Sequence, residues 1–451
     1  MDPLQRRLLH LLQSYEIAPR YVIAFSGGCD STVLLHAISK IIEQLPGRLL
    51  AVHINHGLQP QADAWQQYCA QAAAALKIDY CSLSLKLEQQ AGNLEARARE
   101  ARYAALHSML QSGDVLLTAH HEDDQAETLL LNLLRGSGVE GLSAMQQFSD
   151  FGQFHLLRPL LGITLEEINN YAARHDLDWI EDPSNQQSHF DRNFLRNEVV
   201  PLLLQRWPAA KNTIARSAHN CQDASQLVHQ QAIQDLQNCR TTSPHMLDIE
   251  KLQEKSVVQQ KYLLRAWFQS LSLALPDHDK LEYIITTFIQ CRADARPLLQ
   301  WSNVKLRRYD GNLYVSVEKS LEPPEQPVVF SRQDIQSGRK LLPGIAGELR
   351  FSTVSQDIHD TEKLQVRFRE GAESCVLTGR QGHRKLKKLF QQWRVPPWMR
   401  QHVPLIYWSD ELIAIADFAE CGDVKQRPIQ HIQWRPVPSY EWRSRVHNHG
   451  G

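Results

Sequence analysis

Ser26-Gly27-Gly28-Cys29-Asp30-Ser31 places two glycines, two serine hydroxyls and one carboxylate between two apolar runs, Tyr21–Phe25 and Val33–Leu35. Glycine lets a backbone approach a ligand with no Cβ in the way. A helix that starts here offers unpaired N–H groups and the positive end of its dipole to an anion. The residue types therefore describe a phosphate cradle. The lysine of the commoner GxxxxGK[ST] loop is missing, and the only formal charge is Asp30. A carboxylate beside phosphate makes sense mainly with a divalent cation between them. An ordinary strand–turn–helix with an Asp/Ser cap is the plainer alternative.

A second group of chemically able residues is His120-His121-Glu122-Asp123-Asp124-Gln125-Ala126-Glu127-Thr128. Spacings of three and four put Asp123 or Asp124 on one helix face with Glu127. Helix capping accounts for one such carboxylate but not for two histidines ahead of several acids. The cluster can hold Mg²⁺ or an ammonium group, and its oxygen donors favour a hard cation over zinc. His53 and His56 flank Asn55, Arg97 and Arg99 precede Arg102-Tyr103, and Arg192 and Arg196 stand four apart. Each has a bland reading as a turn, an exposed ion pair or a helix-face residue. As function, the arginines present guanidiniums to phosphate or a nucleobase.

These groups need a scaffold that brings them together. Strand-like runs at Tyr21–Phe25, Leu49–Ile54, Tyr80–Leu85 and Val115–Ala119 alternate with helical patterns over 31–45, 61–77 and 93–111. That alternation predicts an α/β domain with a doubly wound parallel sheet. Ligands of such sheets bind beyond the carboxyl ends of the strands, where all four early motifs fall. Residues 202–290 read as a helical middle region without strands. Val304–Tyr309 and Asn312–Val317, joined by Asp310-Gly311, read as a hairpin with a primed turn. The proline-rich stretch 321–327 reads as a linker. Beyond it, strands at Leu364–Phe368, Ser374–Leu377, Leu405–Tyr407 and Leu412–Ala416 surround a helix over 383–393, a small α+β domain. The stretch from about 435 is expected to be poorly ordered. The expected domains are 1–215, 216–320 and 345–435.

The composition, 43% hydrophobic and 22% charged in 451 residues, is that of a globular chain of two or three domains. No secretory or membrane-spanning pattern appears, and the eight cysteines include no CxxC pair, which leaves zinc ribbons and thiol redox chemistry without support. A reducing, cytoplasmic compartment is expected. Oligomeric state is left open, a homodimer included. The formal net charge is −1, yet residues 361–400 hold ten Lys/Arg against three Glu, a local +7 suited to a polyanion.

SGGCDS after a strand resembles the PP-loop of ATP pyrophosphatases. With HINHGL, NLEARAREARY, LLTAHHEDDQAETLLLNLLRGSGVEGL and DPSNQQSHFDRNFLRNEVVPLL, the order and spacing over about 18–205 resemble the tRNA(Ile)-lysidine synthetases. The terminal segment TGRQGHRKLKKLFQQWRVPPWMRQHVPLIYWSDELIAI extends that likeness. The resemblance implies ATP-dependent ligation of free lysine to carbon 2 of the first anticodon cytidine in a tRNA(Ile) bearing a CAU anticodon. It implies that Ser26, Gly27, Gly28, Cys29, Asp30 and Ser31 hold ATP, with Mg²⁺ on Asp30 and Asp124. Asp124 and Glu127 would take the lysine ammonium, His121 would carry a proton, and Arg97, Arg192 and Arg196 would stabilise the adenylated base and RNA. The terminal domain would grip tRNA away from the anticodon. Two rivals are a tRNA-thiolating relative, disfavoured without paired cysteines, and a nonenzymatic RNA-binding protein on an old nucleotide fold.

Overall fold

The computed structural model describes the chain except residues 16–17, 58–59, 86–93, 188–189, 242, 291, 293–295, 318–325, 344–345, 354–363, 372, 380, 423–428 and 438–451. The expected linker therefore lies largely, and the expected loose tail almost wholly, outside the described residues. The chain divides into two compact units, Met1–Leu227 and Val228–Gly451. No helix among the described residues is long and apolar enough to cross a membrane.

The first unit begins with α1 (Pro3–Ser14), started by a reciprocal cap between Asp2 and Gln5, which buries Leu4, Leu8 and Leu12. Then follow β1 (Arg20–Ala24), α2 (Cys29–Ser39), β2 (Arg48–Asn55), α3 (Ala62–Ala75), β3 (Asp79–Ser84), α4 (Leu94–Met109), β4 (Val115–Leu117) and α5 (Glu122–Leu134). A short α6 (Val139–Leu142) leads to a hairpin of β5 (Phe148–Phe151) and β6 (Phe154–Leu157), then α7 (Leu165–Arg174). The sheet order is β3-β2-β1-β4-β6-β5, parallel throughout except for the edge strand β5.

β1 is central because it is apolar on both faces. Tyr21 and Ile23 join the core under α1, α2 and α7, while Val22 joins Leu106 of α4 and Leu110 just after it on the other side. Strands so covered read as unbroken apolar runs, which is why they stand out in the sequence. The chain leaves β1 toward β2 and returns on its other side as β4, so a crevice opens between the carboxyl ends of β1 and β4. The unit closes with α8 (Asp191–Phe194), a π-turn (Leu195–Val199), α9 (Val200–Arg206) and the start of α10 (Ala210–Cys239).

In the second unit the 304–309 and 312–317 strands pair as expected, and Asp310 (φ +48°) and Gly311 (φ +73°) form the left-handed pair that a primed turn requires. The middle region is not strand-free, however. Met246–Asp248 pairs with 312–314, and Leu298–Trp301 adds a fourth strand. A three-residue strand is too short to show a period of two in sequence. Helix Val257–Ser270 and the π-helical turn Ile284–Ile289, which continues helix His278–Tyr283, pack in this unit's core through Trp267, Phe268 and Phe288, all fully buried. The terminal part contains a five-stranded sheet that includes 364–367, 405–408 and 411–415, with helix Leu386–Gln392. Missed was a three-stranded sheet of 339–341, 348–353 and 429–435, whose last strand lies where the loose tail was expected to begin.

Candidate active site at the carboxyl edge of the first sheet

Gly27 adopts φ +86°, and a Cβ there would lie 2.6 Å from Ile180 Cδ1 and 2.9 Å from Cys69 Sγ. The turn between β1 and α2 therefore requires glycine on both conformational and steric grounds. Gly28 is the N-cap of α2 and contributes no side-chain cap, so the helix start stays open toward the crevice. Ser26 Oγ and Ser31 Oγ lie 3.0 Å apart across the loop, and Ser31 Oγ donates to the Gly28 carbonyl at 3.0 Å. Cys29 is directed away. Its thiol lies 3.7 Å from Asn169 Oδ1, and burial with the nearby Asp30 charge pushes its pKa up to about 11, which disfavours the thiolate.

The loop forms one wall of a cleft of about 400 Å³. Its lining joins Ser26, Gly28, Asp30 and Ser31 to His53 and Asn55 at the end of β2, His56 just after it, Arg102 and Tyr103 of α4, and Thr118 and His120 after β4. His56 Nδ1 is buried without a hydrogen-bond partner among the described residues, an open position for a ligand group. Burial, then Arg102 and His53, lower its pKa to about 4, so the ring is neutral near pH 7. Asn55 donates to Asp63 Oδ1 and Gln66 Oε1, both at 3.0 Å, and fixes the β2 end. A cleft of this size, with an open helix start at one end, fits a nucleoside triphosphate. Arg97 is not among its lining residues. Five positions along a helix turn Arg97 about 140° from Arg102, and it is Arg102 that faces the nucleotide side.

Beside the cleft, and sharing Asp30 with it, lies a cavity of about 130 Å³ lined by His121, Asp123, Ala126, Glu127, Leu165, Arg196, Val200 and Lys211. His121 caps α5, accepting from the Asp123 amide at Nδ1, and Asp124 Oδ2 returns to the His121 amide at 3.0 Å. The other ring nitrogen, Nε2, lies 3.6 Å from Asp30 Oδ2 and 3.5 Å from Asp124 Oδ2. Burial disfavours the imidazolium, but the bond to Asp30 and the Asp124, Asp30 and Asp123 charges outweigh it, and the pKa of His121 is raised.

Asp124 and Glu127, the latter at the cavity wall, already hold counter-charges. Arg192 donates to Glu127 Oε2 at 2.8 Å and to Asp124 Oδ1 at 2.9 Å. Arg196 donates to Glu127 Oε1 at 2.6 Å and to Asp124 Oδ1 at 3.0 Å. Burial opposes ionisation of Asp124, yet His121, Arg192 and His120 hold its carboxyl below the usual range. The expected shared face is present, and so is the expected arginine pair, but they neutralise each other.

This decides the fit of a divalent cation. Among the described residues no cluster of three or more His, Cys, Asp or Glu is arranged around a common metal position. Asp124 Oδ1 accepts from Arg192 and Arg196 and Oδ2 from the His121 amide, so as a metal ligand it would have to share or release these partners. Asp30, its side chain 38% exposed at the head of α2, suits that role better. Mg²⁺ commonly takes one or two carboxylates and completes its shell with phosphates and water. Lys211, an ion-pair partner of Asp123, was not foreseen, since a lone lysine in Ala-Ala-Lys-Asn carries no signal.

The sheet, the glycine loop and the carboxylate edge define a PP-loop nucleotide-binding domain, and the PP-loop domain family model matches residues 1–203. The TilS substrate binding domain model matches 247–314, and the TilS substrate C-terminal domain model matches 364–434. The tRNA(Ile)-lysidine synthase of Coxiella burnetii is 40% identical over 421 residues, 92% of either chain. That of Alkalilimnicola ehrlichii is 40% identical over 416 residues, covering 91% of this chain and 92% of its own. That of Pectobacterium atrosepticum is 38% identical over 419 residues, covering 92% and 94%. The chain belongs to the tRNA(Ile)-lysidine synthase family.

Proposed function

We propose that this chain uses ATP to join free lysine to carbon 2 of the first anticodon cytidine in tRNA(Ile) with a CAU anticodon, giving lysidine. The observation that carries the reading is the shared Asp30: one carboxylate borders both the nucleotide cleft and the cavity of mixed charge beside it. Two consecutive reactions on one base need such a junction.

The cytidine 2-oxo oxygen attacks the α-phosphorus of ATP, and the bond to the β-phosphate breaks to release pyrophosphate. Ser26, Gly28 and Ser31 hold the phosphates, and Asp30 would hold Mg²⁺, which when bound would supply positive charge against that developing at phosphorus. Arg102, which lines the cleft, takes the part first expected of Arg97. The ε-amine of lysine then attacks carbon 2, the carbon–oxygen bond breaks and AMP leaves. An amine attacks only when neutral, and its ordinary pKa near 10.4 requires a base or desolvation. His121, between Asp30 and Asp124, carries that proton; because Nδ1 accepts from the Asp123 amide, the neutral ring holds its hydrogen on Nε2 and takes up a second proton only as the Nδ1 bond is released. Asp124 and Glu127 receive the incoming ammonium as Arg192 or Arg196 yields to it. The region 216–320 serves the substrate, and the basic 345–435 domain binds tRNA.

The test is incubation with ATP, tRNA transcripts and labelled lysine. Label entering RNA only when the anticodon is CAU, with AMP and pyrophosphate formed in step, is the expected result. Label independent of the anticodon, or sulfur transfer in place of lysine, would overturn the reading.

A further inference from the structure

The segment from α8 to the start of α10 has two sides of different character. Inward, Arg196, Val200 and Lys211 line the cavity beside Asp30. Outward, Leu202 is 64% exposed and Trp207, at the end of α9, is 59% exposed. Leu202 and Arg206 stand four apart and so share a face of α9. The Arg206 guanidinium carbon lies 5.9 Å from the centre of the Trp207 ring.

Trp207 does not behave as a core residue. Trp267, Trp301 and Trp434 donate their indole N–H to the carbonyls of Pro244, Ala274 and Ala346 at 2.6–2.8 Å. The Trp207 indole has no such acceptor among the described residues, while its backbone is fixed at both sides by Trp207 N to Leu203 O and Ala210 N to Trp207 O. A single exposed aromatic needs no partner by itself, but one with its backbone held and an arginine across its ring is a ready surface for a stacked base. The charge around it selects the occupant. Of the five Lys/Arg in residues 192–216, Arg192, Arg196 and Lys211 are paired inward with Asp124, Glu127 and Asp123, which leaves Arg206 and Arg216 in no ion pair among the described residues.

We propose that Trp207, with Arg206 across its ring, is a stacking platform for an unpaired anticodon-loop nucleotide next to the cytidine that enters the cleft. This rests on the tRNA reading above. A base inside a stacked loop cannot present its 2-oxo oxygen to an enclosed phosphorus, so its neighbours must be parted, and aromatic and guanidinium planes are what receive parted bases. The position suits this: Trp207 lies between Val200 and Lys211 in the chain, both of which line the cavity.

The experiment compares wild type with Trp207→Ala, Trp207→Phe and Arg206→Ala. It measures KM for tRNA(Ile) transcript, lysine and ATP, and direct binding of an anticodon stem–loop RNA. Loss of one base stack corresponds to roughly five- to 150-fold in affinity. Trp207→Ala should raise KM for tRNA and weaken stem–loop binding within that range, with KM for ATP unchanged, and Trp207→Phe should restore most of both. Unchanged stem–loop binding by Trp207→Ala, or a Phe variant as weak as the Ala variant, would overturn the platform. A wild type that binds the stem–loop through Trp207 but incorporates no lysine would instead sink the proposed function alone.

Discussion

At the residue scale, Asp30 and His121 differ in what they can be asked to do. Asp30 is the one acid common to both cavities, and replacing it by asparagine keeps its size while removing the charge that would hold Mg²⁺. Asp30→Asn should therefore lower pyrophosphate release and lysine incorporation by a hundredfold or more, on the order of 3 kcal/mol of transition-state stabilisation, as read by single-turnover assay. His121 makes a prediction about pH. Its pKa is raised above 6.5 by neighbouring carboxylates, so as a base it is free only above that raised value. Lysine transfer to preformed adenylated tRNA should rise with pH through a point above 6.5, and the limb should vanish in His121→Asn. Stability runs the other way. The protonated ring adds stability fully below the unfolded pKa and loses it as pH rises through the folded one. A rate that shows no such limb would remove His121 from proton transfer.

At the scale of elements, the β1–α2 turn is the part whose shape is most constrained. Gly27→Ala would put a methyl group 2.6 Å from Ile180 Cδ1 at a positive φ. It should cost about 1–3 kcal/mol in a denaturation measurement and raise KM for ATP, because the loop must shift to relieve the clash. This turn was legible in the sequence because glycine, serine and aspartate in that order have few other uses after a buried strand. The 304–317 hairpin was legible for the same reason, through Asp310-Gly311. What was not legible depended on rotation or on brevity. Arg97 and Arg102 occupy one helix, and only the packing of α4 on β2 decides which of them meets the cleft. Met246–Asp248 and Glu348–Thr353 are recruited by partners distant in sequence, 312–314 and 429–435. The carboxylates Asp124 and Glu127 were found, but their closure by Arg192 and Arg196 is a tertiary fact that spacing alone could not give.

At the scale of the whole molecule, charge is distributed unevenly in a chain of net −1. In the terminal domain, Leu386, Leu389 and Phe390 of helix Leu386–Gln392 are buried, while Arg384, Lys385, Lys387 and Lys388 stay exposed around them. The apolar side builds the domain and the basic side remains for a partner. Removing one lysine–phosphate pair should flatten the dependence of tRNA affinity on salt by about 0.7–0.9 in the log–log slope. Lys387→Ala with Lys388→Ala should thus reduce the slope by up to about 2, measured by filter binding across a salt series. ATP affinity should not change. An unaltered slope would mean that these lysines only solvate the helix.

The paired Arg192, Arg196, Asp124 and Glu127 cluster sets the terms on which a small cation can enter. Under the proposed function, lysine meets carboxylates that already hold counter-charges of their own. Its uptake is then an ion exchange, one guanidinium released for one ammonium admitted, and the balance of charge inside stays nearly constant. Affinity becomes a small difference between two strong attractions. Such a site admits its amine readily only when something else, such as an arriving RNA phosphate, gives the displaced arginine a better place to be.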